Sequence, residues 1–217
     1  MTRHIPNALT VGRVFLAAVF FLLLGLYQQG TAWGRGCLNA AFVVYIVAGI
    51  SDVLDGYLAR KWRVTSAFGR LIDPFVDKVL VVGGFTMLCG ANFVLSDSAG
   101  AFERSLPGWL TGGMASAVQA WMVVAILARE FIVSALRGYS ESRGVAFPAT
   151  RAGKIKMFVQ SVALCAVLFQ LANVPEAEWA VVVKIAAVWA AAAVTVLSAG
   201  VYIKRAAKVM VRDERAA

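Results

Sequence analysis

A chain of 217 residues that is 60% hydrophobic and 15% charged, with a mean hydropathy of +0.75, is too apolar for an ordinary soluble domain, whose composition is about half apolar. A formal net charge of +9 would suit a nucleic-acid partner if the basic residues formed one stripe, but they are parcelled between long apolar runs, which excludes that class and fits membrane topology. Cys37, Cys89 and Cys165 stand in separate runs with no Cys-x-x-Cys pair and no nearby histidine, which excludes a zinc site and a disulfide framework.

Six stretches reach the roughly 20 residues of helix needed to cross about 30 Å of hydrocarbon. In chain order they are 8–27, 38–59, 71–95, 117–136, 156–174 and 179–203. The apolar run from Val14 to Tyr27 follows Arg3 and Arg13 as a signal peptide would, but it is long and leads into further spans, so it reads as a retained anchor. Lipid offers no partner to a free backbone N–H or C=O, and barrel strands would be shorter and alternating, so each run is expected to be helical. The predicted fold is all-α, one membrane domain over residues 1–217 with six transmembrane helices and no internal repeat.

Basic residues set the orientation. All but five of the 21 fall on the faces holding the N-terminus, the 60–70 loop, the 137–156 segment and the C-terminus. Those faces, and both termini, are predicted to be cytoplasmic. The exceptions are Arg35 and Arg104 in opposite loops, Lys184 at a span end, and Lys78 and Arg129 inside spans. Residues 96–108 are expected to turn outside, and Trp33, Trp109, Trp121 and Trp179 lie near span ends, where interfacial anchors are expected.

The chemistry concentrates in a hairpin. Asp52 and Asp55 lie three apart near the end of the second span, and Asp73 and Asp77 four apart near the start of the third, so each pair shares a helix face. At 1.5 Å per residue Asp52 lies roughly 12 Å before Arg60, and Asp77 roughly 9 Å into its helix, so all four occupy one shallow layer. A short basic loop joins the helices, which makes them antiparallel neighbours with facing carboxylates. Each aspartate in a span costs on the order of 2.5–3.5 kcal/mol on insertion scales, so a positive partner is required. Lys78 neighbours Asp77 in sequence and does not share its face. Clustered hard oxygen donors without His or Cys suit Mg²⁺ or Mn²⁺, and four carboxylates fit two ions. Salt bridges to Arg60, Arg63 or Arg70 are the bland alternative, and the small residues Gly56, Ala59 and Gly69 beside the carboxylates speak for a ligand or a close helix approach instead.

The segment DVLDGYLARKWRVTSAFGRLIDPFVD, from Asp52 to Asp77, resembles at every fixed position the signature D-x-x-D-G-x-x-A-R-x8-G-x3-D-x3-D of the CDP-alcohol phosphatidyltransferases. The resemblance implies six membrane helices, a homodimer, and transfer of a phosphatidyl or similar group from a CDP-linked donor to an alcohol with release of CMP. It implies that Asp52, Asp55 and Asp73 hold the metals, and that Asp77 is the general base and also touches the second metal. It places Gly56, Ala59, Arg60 and Gly69 in the nucleotide pocket. Asn7, Thr10 and Arg13, in IPNALTVGR, resemble the family's opening helix and fall at three-residue steps that suit the same pocket, though Arg13 also suits a positive-inside anchor.

LAREFIVSALR from Leu127 and GKIKMFVQ from Gly153 are similar to the bacterial phosphatidylglycerophosphate synthase branch. This implies CDP-diacylglycerol as donor, glycerol 3-phosphate as acceptor, and a bacterial inner membrane with the active site on the cytoplasmic side. A phosphorylated acceptor needs a cationic pocket, for which Arg129, Arg137, Arg151, Lys154 and Lys156 are the candidates and Glu130 an orienting partner. The alternatives within the family are inositol phosphate, serine or phosphatidylglycerol as acceptor. Outside it, a cation transporter would also carry intramembrane aspartates, but would be expected to show polar residues at the midplane and interrupted repeats.

Overall fold

The structure, a computed structural model, describes residues 5–62, 67–96, 99–143 and 151–214. Its regular elements are α1 (Ile5–Gly25), α2 (Ala32–Trp62), α3 (Ala67–Leu88), α4 (Ala101–Ser105), α5 (Gly108–Thr111), α6 (Ala120–Ser142), α7 (Arg151–Asn173) and α8 (Glu178–Glu214), with a 3-10 turn at Ala91–Phe93. The described residues form no strand beyond one isolated bridge between Val94 and Met114. The fold is all-α.

The six long helices answer to the six apolar runs of the sequence. Apolar stretches long enough to cross a membrane occur in α2 (Ala32–Leu54), α7 (Ala152–Asn173) and α8 (Glu178–Lys204), with a shorter one, Val11–Gly25, in α1. α3 and α6, of 22 and 23 residues, have the length of a crossing but carry four charged residues each, those on α3 being Arg70, Asp73, Asp77 and Lys78. Large apolar side chains such as Phe15, Phe131, Phe158 and Leu197 are exposed, the arrangement that a lipid solvent demands. The chain is an integral membrane protein.

α1 packs on α2 and α3, α7 on α2 and α8, and α6 on α3 and α8. Phe20, Leu24, Leu38, Phe85, Met122 and Leu164 are fully enclosed between these helices. α3 approaches its neighbours closely through two glycines: a Cβ on Gly83 would stand 2.5 Å from Phe21 Cζ, and one on Gly84 3.1 Å from Leu164 Cδ2. With glycine at these positions the Phe21 ring and the Leu164 methyls occupy the space a side chain would take, and a Cβ would require them to shift.

One expectation needs correction. The third apolar run, taken to residue 95, leaves the helix at Leu88: Gly90 is extended, and Asn92 Nδ2 donates 3.0 Å to the Gly25 carbonyl at the end of α1. The run therefore crosses the end of the bundle, where it satisfies a terminal helix carbonyl. Lys184, near the start of α8 as expected, is fully buried and donates to Glu103 of α4 and, at 2.6 Å, to the Ala115 carbonyl. Residues after α3 fold back over this end of the bundle through Ser116, whose hydroxyl donates 2.6 Å to the Leu88 carbonyl, and they enclose the lysine. Trp33, Trp109, Trp121 and Trp179 are all exposed.

Candidate active site

The direct α2–α3 packing expected from the sequence is not what joins the aspartates: among the described residues α1 packs on both helices, and its Arg13 is where Asp52 of α2 and Asp77 of α3 meet. Arg13 Nη1 donates to Asp52 Oδ1 and, at 3.2 Å, to Asp77 Oδ1, so two carboxylates converge on a single guanidinium nitrogen. Arg13 is 2% exposed, while the Asp52 and Asp77 side chains keep 41% and 30% of their surface open. The anchor reading of Arg13 gives way: an arginine held at the bundle's surface for topology alone would not be enclosed between two acids. The rival salt-bridge partners expected from sequence, Arg60, Arg63 and Arg70, lie outside the described side chains.

Asp55, Gly56, Ala59 and Arg60 lie on α2, Gly69 and Asp73 on α3, and Asn7 and Thr10 on α1. Their side chains, with that of Arg151, lie outside the described residues. No group of three or more metal-ligating side chains occurs among the described residues. Asp52 and Asp77 nevertheless provide a fit test, since two hard oxygen donors already meet on one positive charge and remain partly open on their other sides. That donor set suits Mg²⁺ or Mn²⁺.

From the aspartates a cavity of about 840 Å³ runs between α2, α3 and α7. Arg13, Asp52 and Asp77 line one end, and Phe42 and Phe169, with ring centroids 6.3 Å apart, line the other. Asp52 and Phe42 are ten residues apart on α2, so the cavity extends about 15 Å along the helix, half the hydrocarbon thickness. Between its ends the walls are apolar apart from Tyr45 and Ser161, the tyrosine hydroxyl donating 3.0 Å to Ser161 Oγ. Ile46, Ile50, Phe158 and Val162 line it while exposed to the exterior, so it is a groove open along its side. A charged end joined to a long apolar groove fits a molecule with a polar head and fatty chains.

A second polar cluster joins α6, α7 and α8. Glu130 Oε1 accepts from Arg129 Nη1 at 2.9 Å and from Lys156 Nζ, and all three residues are buried. Lys78, beside Asp77, donates to Ser134 Oγ, which donates 2.7 Å to the Glu130 carbonyl, so a chain of hydrogen bonds connects this cluster to α3. The structure thus brings Arg129 and Lys156 together. Arg137, seven residues beyond Glu130, is half-buried on the same face of α6, whereas Lys154 is exposed and makes no part of the cluster.

Sequence reasoning missed Ser134, Ser198 and Tyr202. Ser198 Oγ accepts from Arg129 Nε at 3.1 Å, and the Arg129 guanidinium lies 5.1 Å from the Tyr202 ring centroid. The available signal was their spacing of four, together with Thr195, as polar groups on one face of a helix otherwise built of alanine and valine.

The sequence profile of the CDP-alcohol phosphatidyltransferase family matches residues 3–197. The chain belongs to this family. A Bacillus subtilis protein named CDP-diacylglycerol--glycerol-3-phosphate 3-phosphatidyltransferase is 29% identical over 93% of this chain and 94% of its own length. A Haemophilus influenzae protein of the same name is 30% identical over 87% of this chain and 88% of its own. A rice cardiolipin synthase (CMP-forming) is 30% identical over 96% of this chain, which spans 59% of that protein. Membership places the chain among the CDP-alcohol phosphatidyltransferase enzymes and disposes of the cation-transporter reading.

Proposed function

We propose that this enzyme transfers the phosphatidyl group of CDP-diacylglycerol to sn-glycerol 3-phosphate, giving phosphatidylglycerophosphate and CMP. The observation that carries the proposal is the meeting of Asp52 and Asp77 at the polar end of a long apolar groove. The two bacterial relatives bear the name of this reaction over nearly the whole chain.

In this reading Asp52, Asp55, Asp73 and Asp77 hold two Mg²⁺ or Mn²⁺ ions. When bound, such ions stabilise the attacking and leaving oxygens of an in-line displacement at phosphorus. Asp77 takes the proton of the acceptor hydroxyl as general base. Gly56, Ala59, Arg60 and Gly69, with Asn7, Thr10 and Arg13 of α1, receive the cytidine and its phosphates. Arg13 is oriented by the two carboxylates at the same end of the groove. The groove holds acyl chains in an apolar environment while the anhydride stays at the carboxylate layer. Attack by the acceptor hydroxyl is direct, without a covalent enzyme intermediate. The acceptor phosphate is recognised by cations drawn from Arg129, Arg137, Arg151, Lys154 and Lys156.

The same reading assigns six membrane crossings in one domain over 1–217, both termini and the active site on the cytoplasmic face of a bacterial inner membrane, and a homodimer. The rice relative's name keeps phosphatidylglycerol as a second acceptor to be tested.

Purified protein in liposomes with Mg²⁺ or Mn²⁺ is expected to release CMP only when CDP-diacylglycerol and glycerol 3-phosphate are both present, and to stop on chelation. A panel adding inositol phosphate, serine and phosphatidylglycerol identifies the acceptor. CMP release without any acceptor would exclude direct attack.

A further inference from the structure

We infer that Glu130 is a positioning residue that holds Arg129 and Lys156 as a phosphate-recognising pair, and that Ser198 and Tyr202 of α8 complete its cradle; this rests on the reading of the acceptor as a phosphate ester. The two ends of the bundle offer a direct contrast. At one, Lys184 faces Glu103 in a one-to-one pair, and its ammonium also bonds the Ala115 carbonyl. That is a closed structural ion pair. At the other, two buried cations share one carboxylate oxygen, so the trio keeps a net positive charge. Arg129 Nη2 is enclosed and has no hydrogen-bond partner among the described residues. Surplus positive charge and an unmet donor inside an apolar bundle are both costly, and a phosphate dianion answers both.

Arg129 is fixed from three sides. Its Nη1 is held by Glu130 and its Nε by Ser198, and its face lies against Tyr202. Ser198 is itself oriented, because its hydroxyl hydrogen is committed to the Thr195 carbonyl at 2.8 Å and its lone pair is left to accept from arginine. Tyr202 is enclosed beside Val133 of α6, which sets the ring's position. Glu130 cannot contact a phosphate, since both are anions. Its effect must pass through the two cations.

The test is steady-state kinetics of the full chain in liposomes, with both substrates varied. Glu130→Gln keeps the size and the carbonyl acceptor but lets two buried cations repel each other. It is expected to raise the KM for glycerol 3-phosphate about tenfold, the equivalent of one charge-assisted hydrogen bond, with kcat and the KM for CDP-diacylglycerol changed less than about twofold. Ser198→Ala, which removes one hydroxyl, is expected to raise the same KM about threefold and guards against a Glu130 variant that does not fold. A fall in acceptor KM for Glu130→Gln would mean that Glu130 competes with phosphate, and equal effects on both substrates would mean a merely structural role; either overturns the inference, as does an unchanged acceptor KM for Ser198→Ala. The wild-type acceptor panel judges the functional reading separately. If another phosphorylated acceptor is preferred, the glycerol 3-phosphate assignment falls, and the inference stands only if the variants raise that acceptor's KM.

Discussion

Asp77 combines three properties that a general base in this setting needs: a position on the hairpin facing a second carboxylate, a cation within hydrogen-bond reach, and an open side at the mouth of the groove. Asp77→Asn preserves shape and most hydrogen bonding but cannot take a proton, so CMP release is expected to fall by about 10²-fold or more while the detergent-solubilised protein keeps its elution profile and melting temperature. Retained turnover in that variant removes the base assignment. That the carboxylates share one depth was readable from spacing, because Asp52 and Asp77 each lie ten residues from the short connection between α2 and α3; that α1 packs on both helices and joins them was not. Arg13 as their shared partner was not readable in the same way. It comes from another helix, 39 residues before Asp52, and nothing local in IPNALTVGR distinguishes an arginine that anchors from one that is enclosed. The burial of Lys184 was hidden for the matching reason: it depends on Glu103 and Ala115 folding back over it, and no helical periodicity reports that.

Among the polar contacts that fasten the segment between α3 and α6 to the bundle is the buried Lys184–Glu103 ion pair, at 0% and 4% exposure of the two side chains. Lys184→Met alone leaves the Glu103 carboxylate without its counter-charge, and destabilisation of about 3–5 kcal/mol is expected. Adding Glu103→Leu should recover most of that loss, since an apolar pair of similar volume has no charge to desolvate. Melting of the wild type, single and double variants in detergent measures the difference, and identical melting of the two variants would show that the pair is not the fastening. Six apolar periods of sufficient length gave the positions of the long helices, since a membrane admits few alternatives. The end of α3 at Leu88 was hidden, because residues 91–95 are as apolar as the span they follow and only Asn92, bonded to α1, shows why the chain turns.

At the scale of the whole molecule, the groove sets what the polar end can receive. Ala166 of α7 lines it, and Ala166→Trp fills space that the reading gives to an acyl chain. The KM for CDP-diacylglycerol is expected to rise several-fold with the KM for glycerol 3-phosphate unchanged; a rise for the acceptor alone would place the fatty chains elsewhere. The apolar runs located the long helices, but a groove is made by three helices at once, and only their packing shows that α2, α3 and α7 leave one between them. Its side is bordered by Ile46, Ile50, Phe158 and Val162, which also face the exterior. A donor can therefore slide in from the surrounding leaflet without passing through water. Encounter then happens in two dimensions, so turnover should follow the mole fraction of donor among the lipids: adding inert phospholipid at a fixed total amount of donor slows the enzyme, while its dependence on the soluble alcohol stays an ordinary aqueous saturation curve.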